Sequence, residues 1–344
     1  MKRRALWITE PGKAEVREDT IQPPAPDEVS VQVILSALSA GTERLFFEGR
    51  VPLESKVDST LPGLDGKLEY PLKYGYSAVG VVQDVGSNVD PDWIGQRVFA
   101  FRPHESHFTC PPEQLVRLPD ALRAEDAVFL ANLETAVNLL LDGAPLIGER
   151  VVVHGQGVVG LLTTALLAEL PLELLIAVEP AAKRRQAATA VGADEAVDPD
   201  EAGALERFDP LINGPASAAD LSYELSGAPQ ALDLAVATTG YSGRVVLGAW
   251  YGEEPVRLHL GERFHRSRIR LISSQVSTLD PIHQGRWSKS RRIGVALAAA
   301  QRLRPSMLIT HRVGIQRADH AYSLLDQPDE AIQVVITYEG DEAT

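Results

Sequence analysis

The sequence predicts an α/β protein: a β-rich, barrel-type domain joined to a doubly wound parallel sheet. Three observations lead there. Residues 1–120 carry many short apolar runs broken by Gly and Pro, the pattern of short strands and tight turns. From Leu146 strand-like and helix-like segments alternate, as in a parallel sheet covered by helices. Within that second region, Arg150–Glu179 reads strand, glycine turn, helix, strand and acid, and the rest of the chain is organised around it.

Taken in order, Ala5–Thr9 is predicted as a strand, followed by a turn at Pro11-Gly12. The Pro-rich stretch Gln22–Pro26 is a connector, and Val29–Leu35 is a run of strand formers. Residues 50–70 hold several Pro and Gly and are expected to run over the surface. Short apolar runs alternate with glycines from Lys73 to Gly86, and Ile94–Ala100 makes a turn and a further strand. Ala124–Leu141 is helical by composition and is expected to bridge two domains. The expected boundaries are 1–120, then 121–300 with the bridging helix, then 301–344 returning to the first domain.

In the second domain Val151–Val153 are β-branched and apolar, as a strand buried on both faces requires. Glycines follow at Gly155, Gly157 and Gly160, with Gln156, Val158 and Val159 between them. The first permits the turn, the second lets a pyrophosphate approach the main chain, and the third lets the helix pack on the strand. Apart from Gly160, residues 158–170 contain no Gly and no Pro, so a helix starts on the turn with its free N–H groups facing the phosphates. Glu179 ends the next strand, nineteen residues after Gly160, where a carboxylate accepts from an adenosine ribose diol. That placement favours NAD(H). Lys183 and Arg184 open the following helix and could grip a 2′-phosphate, so NADP(H) stays possible. A helix near Ala182–Val191, a weak strand at Glu195–Val197 and a strand at Leu221–Leu225 come next. After them come the turn from Ser226, a helix to Thr238, and strands at Gly243–Gly248 and Arg268–Val276. Ser226 and Gly248, at ends of later strands, complete the expected cofactor contacts. Met307–Val313 and Gln333–Tyr338 are strands around a short helix at Asp319–Asp326.

Composition limits the partners. The formal net charge of −14 argues against nucleic acid or an anionic membrane, which call for a basic face. The single cysteine, Cys110, excludes a disulfide framework and a four-cysteine zinc site within the chain. No apolar stretch reaches membrane-spanning length. A cytoplasmic protein acting on a small molecule is expected.

Further motifs narrow the fold family. They are Gly75-Tyr76-Ser77-Ala78-Val79-Gly80-Val81-Val82 with Val85-Gly86, Ile94-Gly95-Gln96-Arg97-Val98, Leu115-Val116-Arg117-Leu118-Pro119 and Val246-Leu247-Gly248. With the glycine turn, these motifs resemble the medium-chain dehydrogenase/reductase superfamily over the whole chain. The resemblance implies a GroES-like β-barrel-type domain plus a Rossmann doubly wound parallel sheet, with a homodimer or homotetramer as the assembly. Ser39-Ala40-Gly41-Thr42-Glu43-Arg44 with Tyr74-Gly75-Tyr76 is most similar to a zinc-free branch. That branch includes bacteriochlorophyllide hydroxyethyl dehydrogenases and many proteins labelled zinc-binding alcohol dehydrogenases.

Zinc relatives bind catalytic metal through a cysteine, a histidine and a Cys or Glu. The resemblance sets Ser39, Tyr76 and Ala131 at those positions, so no metal ligand is expected. Without a Lewis acid, hydrogen-bond donors must stabilise the oxyanion. Tyr76 is the first candidate, its alternative being a ring that fills the volume left by the metal. Thr42, Glu43 and Arg44 lie on the loop that carries the proton relay in relatives; a Glu43–Arg44 surface pair or loop-fixing contacts are the alternative. Asn132 and Glu134 sit near the lost third ligand, and Thr135 matches a threonine that packs on the nicotinamide. His104 and His107 are spaced H-x-x-H and are expected at the surface or in a substrate cleft. Two basic islands, Arg263–Arg268 and Arg286–Arg292, could hold an acidic group or form solvated helix faces or subunit contacts. The expected function is zinc-independent hydride transfer between nicotinamide and an alcohol/ketone or activated alkene. A hydroxyethyl-tetrapyrrole dehydrogenase and a non-catalytic nucleotide-binding or redox-sensing protein are the alternatives.

Overall fold

Val29, Val31 and Val33 recur at the period of two that places side chains on one face of a strand, and all three are buried. They belong to β3 (Val29–Ala37) in the computed structural model, which describes residues 1–51, 69–203, 218–252 and 255–338. The surface excursion expected over 50–70 lies, from 52 to 68, outside the described residues.

Two compact units divide the chain at Ala131/Asn132 and again at Ala299/Ala300. The first runs from Met1 to Ala131 and resumes at Ala300. Its β1 (Lys2–Glu10) and β2 (Lys13–Thr20) form an antiparallel pair. Its larger sheet has the order β14 (Ile309–Gly314), β15 (Gln333–Thr337), β3, β4 (Ala78–Val85), β5 (Arg97–Ala100), β7 (Leu115–Arg117). The strand β6 (His107–Cys110) pairs with the first half of β3, at Val29–Gln32, while β15 pairs with Leu35–Ala37. The helix α1 (Thr42–Glu48) follows β3 closely. Leu38, Phe46, Tyr74, Tyr322 and Ile336 share one core, and the valines of β3 share another with Phe108 and Cys110. The sequence pattern missed β2, β6, β7 and α1. β6, β7 and α1 are short, and β2 reads as a run of charges.

The second unit is a six-stranded parallel sheet. Its order is β10 (Glu195–Val197), β9 (Leu174–Val178), β8 (Arg150–His154), β11 (Ala219–Glu224), β12 (Thr239–Leu247), β13 (Arg270–Ser273). Numbered from β8, that is the 3-2-1-4-5-6 order of the dinucleotide-binding fold. Both faces of β8 are covered. Val151 and Val153 pack with Leu139 and Leu167, whereas Val152 packs with Ile176 and Val178. The crossover helices are α4 (Val158–Leu167), α5 (Ala182–Ala190) and α6 (Pro229–Thr238). The helix expected over 124–141 is broken into α2 (Ala124–Ala127) and α3 (Leu130–Gly143), and the unit boundary falls inside α3. No helix among the described residues is long and apolar enough to cross a membrane.

Two expectations are corrected by α7 (Lys289–Leu303). Arg292 does not lie on a solvated face. It is 1% exposed, and its guanidinium grips Glu134 of α3 at 2.9 and 3.1 Å and also bonds Asn138. Glu134, singled out because it lies near the position of the third metal ligand in zinc relatives, is thereby the buried counter-charge that ties α3 to α7. Arg291 stacks on Trp287, with its guanidinium carbon 4.3 Å from the ring centroid. Breaking a buried pair strands a desolvated charge, which costs about 3–5 kcal/mol. Glu134→Ala should therefore lower stability to denaturant by that order while leaving NADH titration of the folded variant unchanged. A variant of native stability that has lost turnover would place Glu134 among the reacting groups.

Candidate functional site

The second unit builds a cradle at the C-terminal ends of its strands. Gly155 has φ +87°, and a Cβ there would stand 2.6 Å from the Ser226 main chain, so only glycine makes this turn. A Cβ at Gly160 would lie 2.0 Å from the Gly155 carbonyl, which is how closely α4 sits on the turn. A Cβ at Gly157 would meet nothing within 4 Å, so this side of the turn has room for a phosphate group. Gly157 is the N-cap of α4 and offers no side-chain cap. The N–H groups of Val158, Val159 and Gly160, in the first turn, have no acceptor within the helix. Bare donors at a positive helix end favour an anion.

Glu179 secures this turn. Its carboxylate is 4% exposed and accepts the Gln156 N–H at 2.7 Å and the Ala181 N–H at 3.1 Å. Two of about four acceptor directions are then used, leaving capacity for a ribose diol. The Gln156 side chain turns inward, donating to Val153 O and accepting from Thr164, so only its main chain serves the cradle. Lys183 is exposed and Arg184 half-buried on the first turn of α5. Arg185 is the residue that bonds the Glu179 carbonyl, at 2.9 Å, while pairing with Asp198. Ser226 bonds Glu224 through both its N–H and its hydroxyl, and the Gly248 N–H reaches the Glu224 carbonyl at 3.0 Å. Glu224 is fully buried and also accepts from the Tyr251 hydroxyl. Sequence reasoning passed over it, although an acid at the C-terminal end of a parallel strand was the available signal. Thr135 is half-buried on α3.

The first unit holds a polar cluster of its own. The Tyr76 hydroxyl donates to Ser39 Oγ at 2.6 Å. The Ser39 N–H donates to Glu43 Oε1 at 2.8 Å. Glu43 Oε2 meets His104 Nε2 at 2.8 Å, and His104 Nδ1 meets Ser36 Oγ at 2.7 Å. Ser36 Oγ also meets the Tyr338 hydroxyl at 2.7 Å. Burial, then the Glu43 charge, pushes the Tyr322 phenol well above its usual range, and its hydroxyl donates to Glu43 at 3.4 Å. Glu43 is therefore no surface partner of Arg44. Arg44 pairs with Glu48 and Asp326 instead, at 42% side-chain exposure. Thr42, half-buried, starts α1. His104 is likewise no surface residue, being fully buried, while burial lowers the pKa of the half-buried His107. The partners of His104 stand 61 and 68 residues away in the chain, so no local pattern disclosed them.

Residues 158–290 match the family described as zinc-binding dehydrogenase. The chain is 25% identical over 360 residues to the 2-desacetyl-2-hydroxyethyl bacteriochlorophyllide A dehydrogenase of Cereibacter sphaeroides, covering 98% of this chain and 99% of that protein. It is 25% identical over 331 residues to the L-threonine 3-dehydrogenase of Pyrococcus horikoshii, covering 81% and 89% respectively. A short chain alcohol dehydrogenase from Escherichia coli CFT073, solved with NADH, superposes with a TM-score of 0.79 at 20% identity, covering 98% of this chain and 99% of that one. The chain thus resembles zinc-binding dehydrogenases in sequence over residues 158–290 and shares the fold of such dehydrogenases over nearly its whole length. A second solved structure, a Sinorhizobium meliloti protein described as a zinc-binding dehydrogenase, is bound to NADP. Its TM-score is 0.76 at 19% identity, with 98% of this chain and all of that one covered. Among the described residues, no group of three His, Cys, Asp or Glu side chains stands ready to hold a metal. Cys110 is buried in β6, and burial raises its thiol pKa.

One group beside the cradle has a measurable signature. His154 ends β8, is fully buried, and neither ring nitrogen has a hydrogen-bond partner among the described residues. Burial pushes its pKa down from 6.5 to about 4. The imidazole is thus neutral in the fold, while the unfolded chain takes up a proton below about pH 6.5. Its contribution to stability is complete above pH 6.5 and is lost as pH falls toward 4. The span is worth about 3 kcal/mol. His154→Leu should flatten the fall in stability between pH 6.5 and 4, measured by denaturant unfolding at stepped pH. Parallel curves for variant and wild type would contradict this origin.

Proposed function

We propose that this protein is an oxidoreductase that transfers hydride between a nicotinamide dinucleotide, with NAD(H) preferred, and an alcohol/ketone or activated-alkene substrate, without catalytic zinc. The observation that carries the reading is the hydroxyl pair at the positions of lost metal donors: Tyr76 donates to Ser39 Oγ at 2.6 Å. Zinc at neutral pH takes thiolate, imidazole or carboxylate. Two hydroxyls bonded to one another and the methyl group of Ala131 do not fit it, and both nitrogens of His104 are already engaged. No step is therefore routed through a metal.

When bound, the nicotinamide supplies or accepts the hydride at the substrate carbon. This chain's residues do the rest. The main-chain N–H groups at the start of α4 receive the pyrophosphate, and the remaining acceptor capacity of Glu179 receives the ribose diol. With Tyr76 donating to Ser39, the Ser39 hydroxyl hydrogen is the one left to give to an oxygen on which charge develops. As carbonyl becomes alkoxide, that proton passes to it, the Tyr76 proton moves to Ser39, and the half-buried Tyr76 takes a replacement proton from solvent. In the oxidative direction the protons return along the same pair. NAD(H) is preferred because a 2′-phosphate would bring its charge against the Glu179 carboxylate. Lys183 and Arg184 are the residues that could offset this. Self-association is proposed to run along β13, one of the two edge strands of the parallel sheet.

A second reading is favoured by the Cereibacter relative, which covers 98% of this chain: oxidation of a hydroxyethyl group on a tetrapyrrole. The test for the reaction is NADH-dependent reduction over a panel of ketones and enones, with zinc measured by elemental analysis in the same preparation. Less than a tenth of a zinc per chain is expected (roughly the background for a site lacking thiolate and imidazole donors). Ser39→Ala, which removes the donor to the oxyanion, should cut kcat about 100-fold or more, since one such donor is worth about 3 kcal/mol, and Tyr76→Phe, which removes the proton that refills Ser39, should also lower kcat, with NADH affinity unchanged in both. Stoichiometric zinc, or full turnover in Tyr76→Phe, would sink the metal-free hydroxyl mechanism. Tight NADH binding with no turnover on any panel member would favour a non-catalytic, redox-sensing protein.

A further inference from the structure

We propose that His104 is the positioning residue that holds the Ser39–Tyr76 hydroxyl pair in place, through Glu43 on one side and Gly75 on the other. Ser39 lies between β3 and α1, outside regular structure, and its N–H is anchored on Glu43 Oε1 at 2.8 Å. Glu43 is itself held by His104 Nε2 at 2.8 Å on its other oxygen. The Tyr76 arm is fixed by the same ring. Gly75 has φ +128°, and a Cβ there would stand 2.8 Å from His104 Nε2, so the main chain entering Tyr76 runs directly against the imidazole. One side chain thus backs both members of the pair.

The proton inventory closes with a single charge. The buried Glu43 carboxylate requires a donor, which assigns the hydrogen to His104 Nε2. Nδ1 then accepts from Ser36 Oγ, and Ser36 accepts from the Tyr338 hydroxyl. Burial raises the Tyr338 phenol, which keeps it a donor. Every polar atom of the His104 ring is satisfied, so the ring has one preferred orientation. Glu43 and His104 are both 0% exposed, so His104 acts through its neighbours and not by touching substrate.

The turnover consequence rests on the proposed role of Tyr76, whereas the positional one does not. The probe is therefore 3-fluorotyrosine placed at position 76 and read by fluorine NMR below the unfolding temperature. His104→Phe keeps a ring for Gly75 to face but removes both hydrogen bonds. The Tyr76 resonance is expected to shift in the same direction as in Ser39→Ala, and His104→Gln, which retains a donor for Glu43, should restore it. An unshifted resonance in His104→Phe, accompanied by a lower Tm, would overturn the proposal and leave His104 a stability residue. If His104→Phe does not fold, the double variant Glu43→Leu/His104→Phe replaces both partners by apolar groups of similar shape, a change that can be nearly neutral. It should show the same shift, and an unshifted resonance there overturns the proposal equally. In turnover, His104→Phe should lower kcat about tenfold with KM for NADH unchanged, the pattern of lost orientation. A wild-type protein with no turnover would remove the proposed reaction, while the resonance still decides the role of His104.

Discussion

Glu179 receives two main-chain N–H groups, from Gln156 and Ala181, and those bonds tie the glycine turn after β8 to the end of β9. A turn bare of side chains is open to a phosphate only if its main chain is held still. Here the restraint comes from three sides. The Ser226 main chain blocks any Cβ at 155, the Gly155 carbonyl blocks any Cβ at 160, and the Glu179 carboxylate fixes the peptide between. The order of the parallel sheet then places α4 so that its unpaired N–H groups face the same point. Burying a carboxylate this deeply would be costly without donors. The turn supplies them, so the geometry of the cradle and the charge at its edge are one feature.

In the proposed reaction the first unit relies on hydroxyls backed by one buried carboxylate. A metal site concentrates charge on one ion, and its ligands need fixed directions. Hydroxyls carry less charge and rotate freely, so they need neighbours to direct them. Behind the Ser39–Tyr76 pair, Glu43 holds the Ser39 N–H, and His104 and Ser36 follow in series, all three buried. The same low-dielectric surroundings that strengthen these bonds would penalise any member left unpaired. That is why the cluster is fully connected where it is described.

The parallel sheet was legible in the sequence because its signals are local. Val151–Val153, the glycine spacing and Glu179 all lie within about one βαβ unit, and each has a stereochemical reason. The β-rich unit was legible only as a class. Strands such as β6 and β7 are four and three residues long, too short for a period to declare itself. The polar cluster was half legible. Tyr76, Glu43 and the oddity of Ser39 could be singled out by likeness to metal enzymes. His104 stood out only for its spacing to His107, and Ser36 and Tyr338 not at all, because the three meet only after strands distant in sequence are paired. Glu134 misled for a related reason: its counter-charge, Arg292, stands 158 residues away and reads locally as part of a basic surface island.

The central claim is that the Glu179 carboxylate, held against the glycine turn, selects the cofactor. Titrating the protein with NADH and NADPH by fluorescence, at one pH and one salt concentration, tests it most directly. Repulsion between a 2′-phosphate and the carboxylate exceeds roughly 1 kcal/mol in a partly dry site, so NADH should bind at least several-fold more tightly. Equal or tighter binding of NADPH would contradict the account and hand the choice to Lys183 and Arg184.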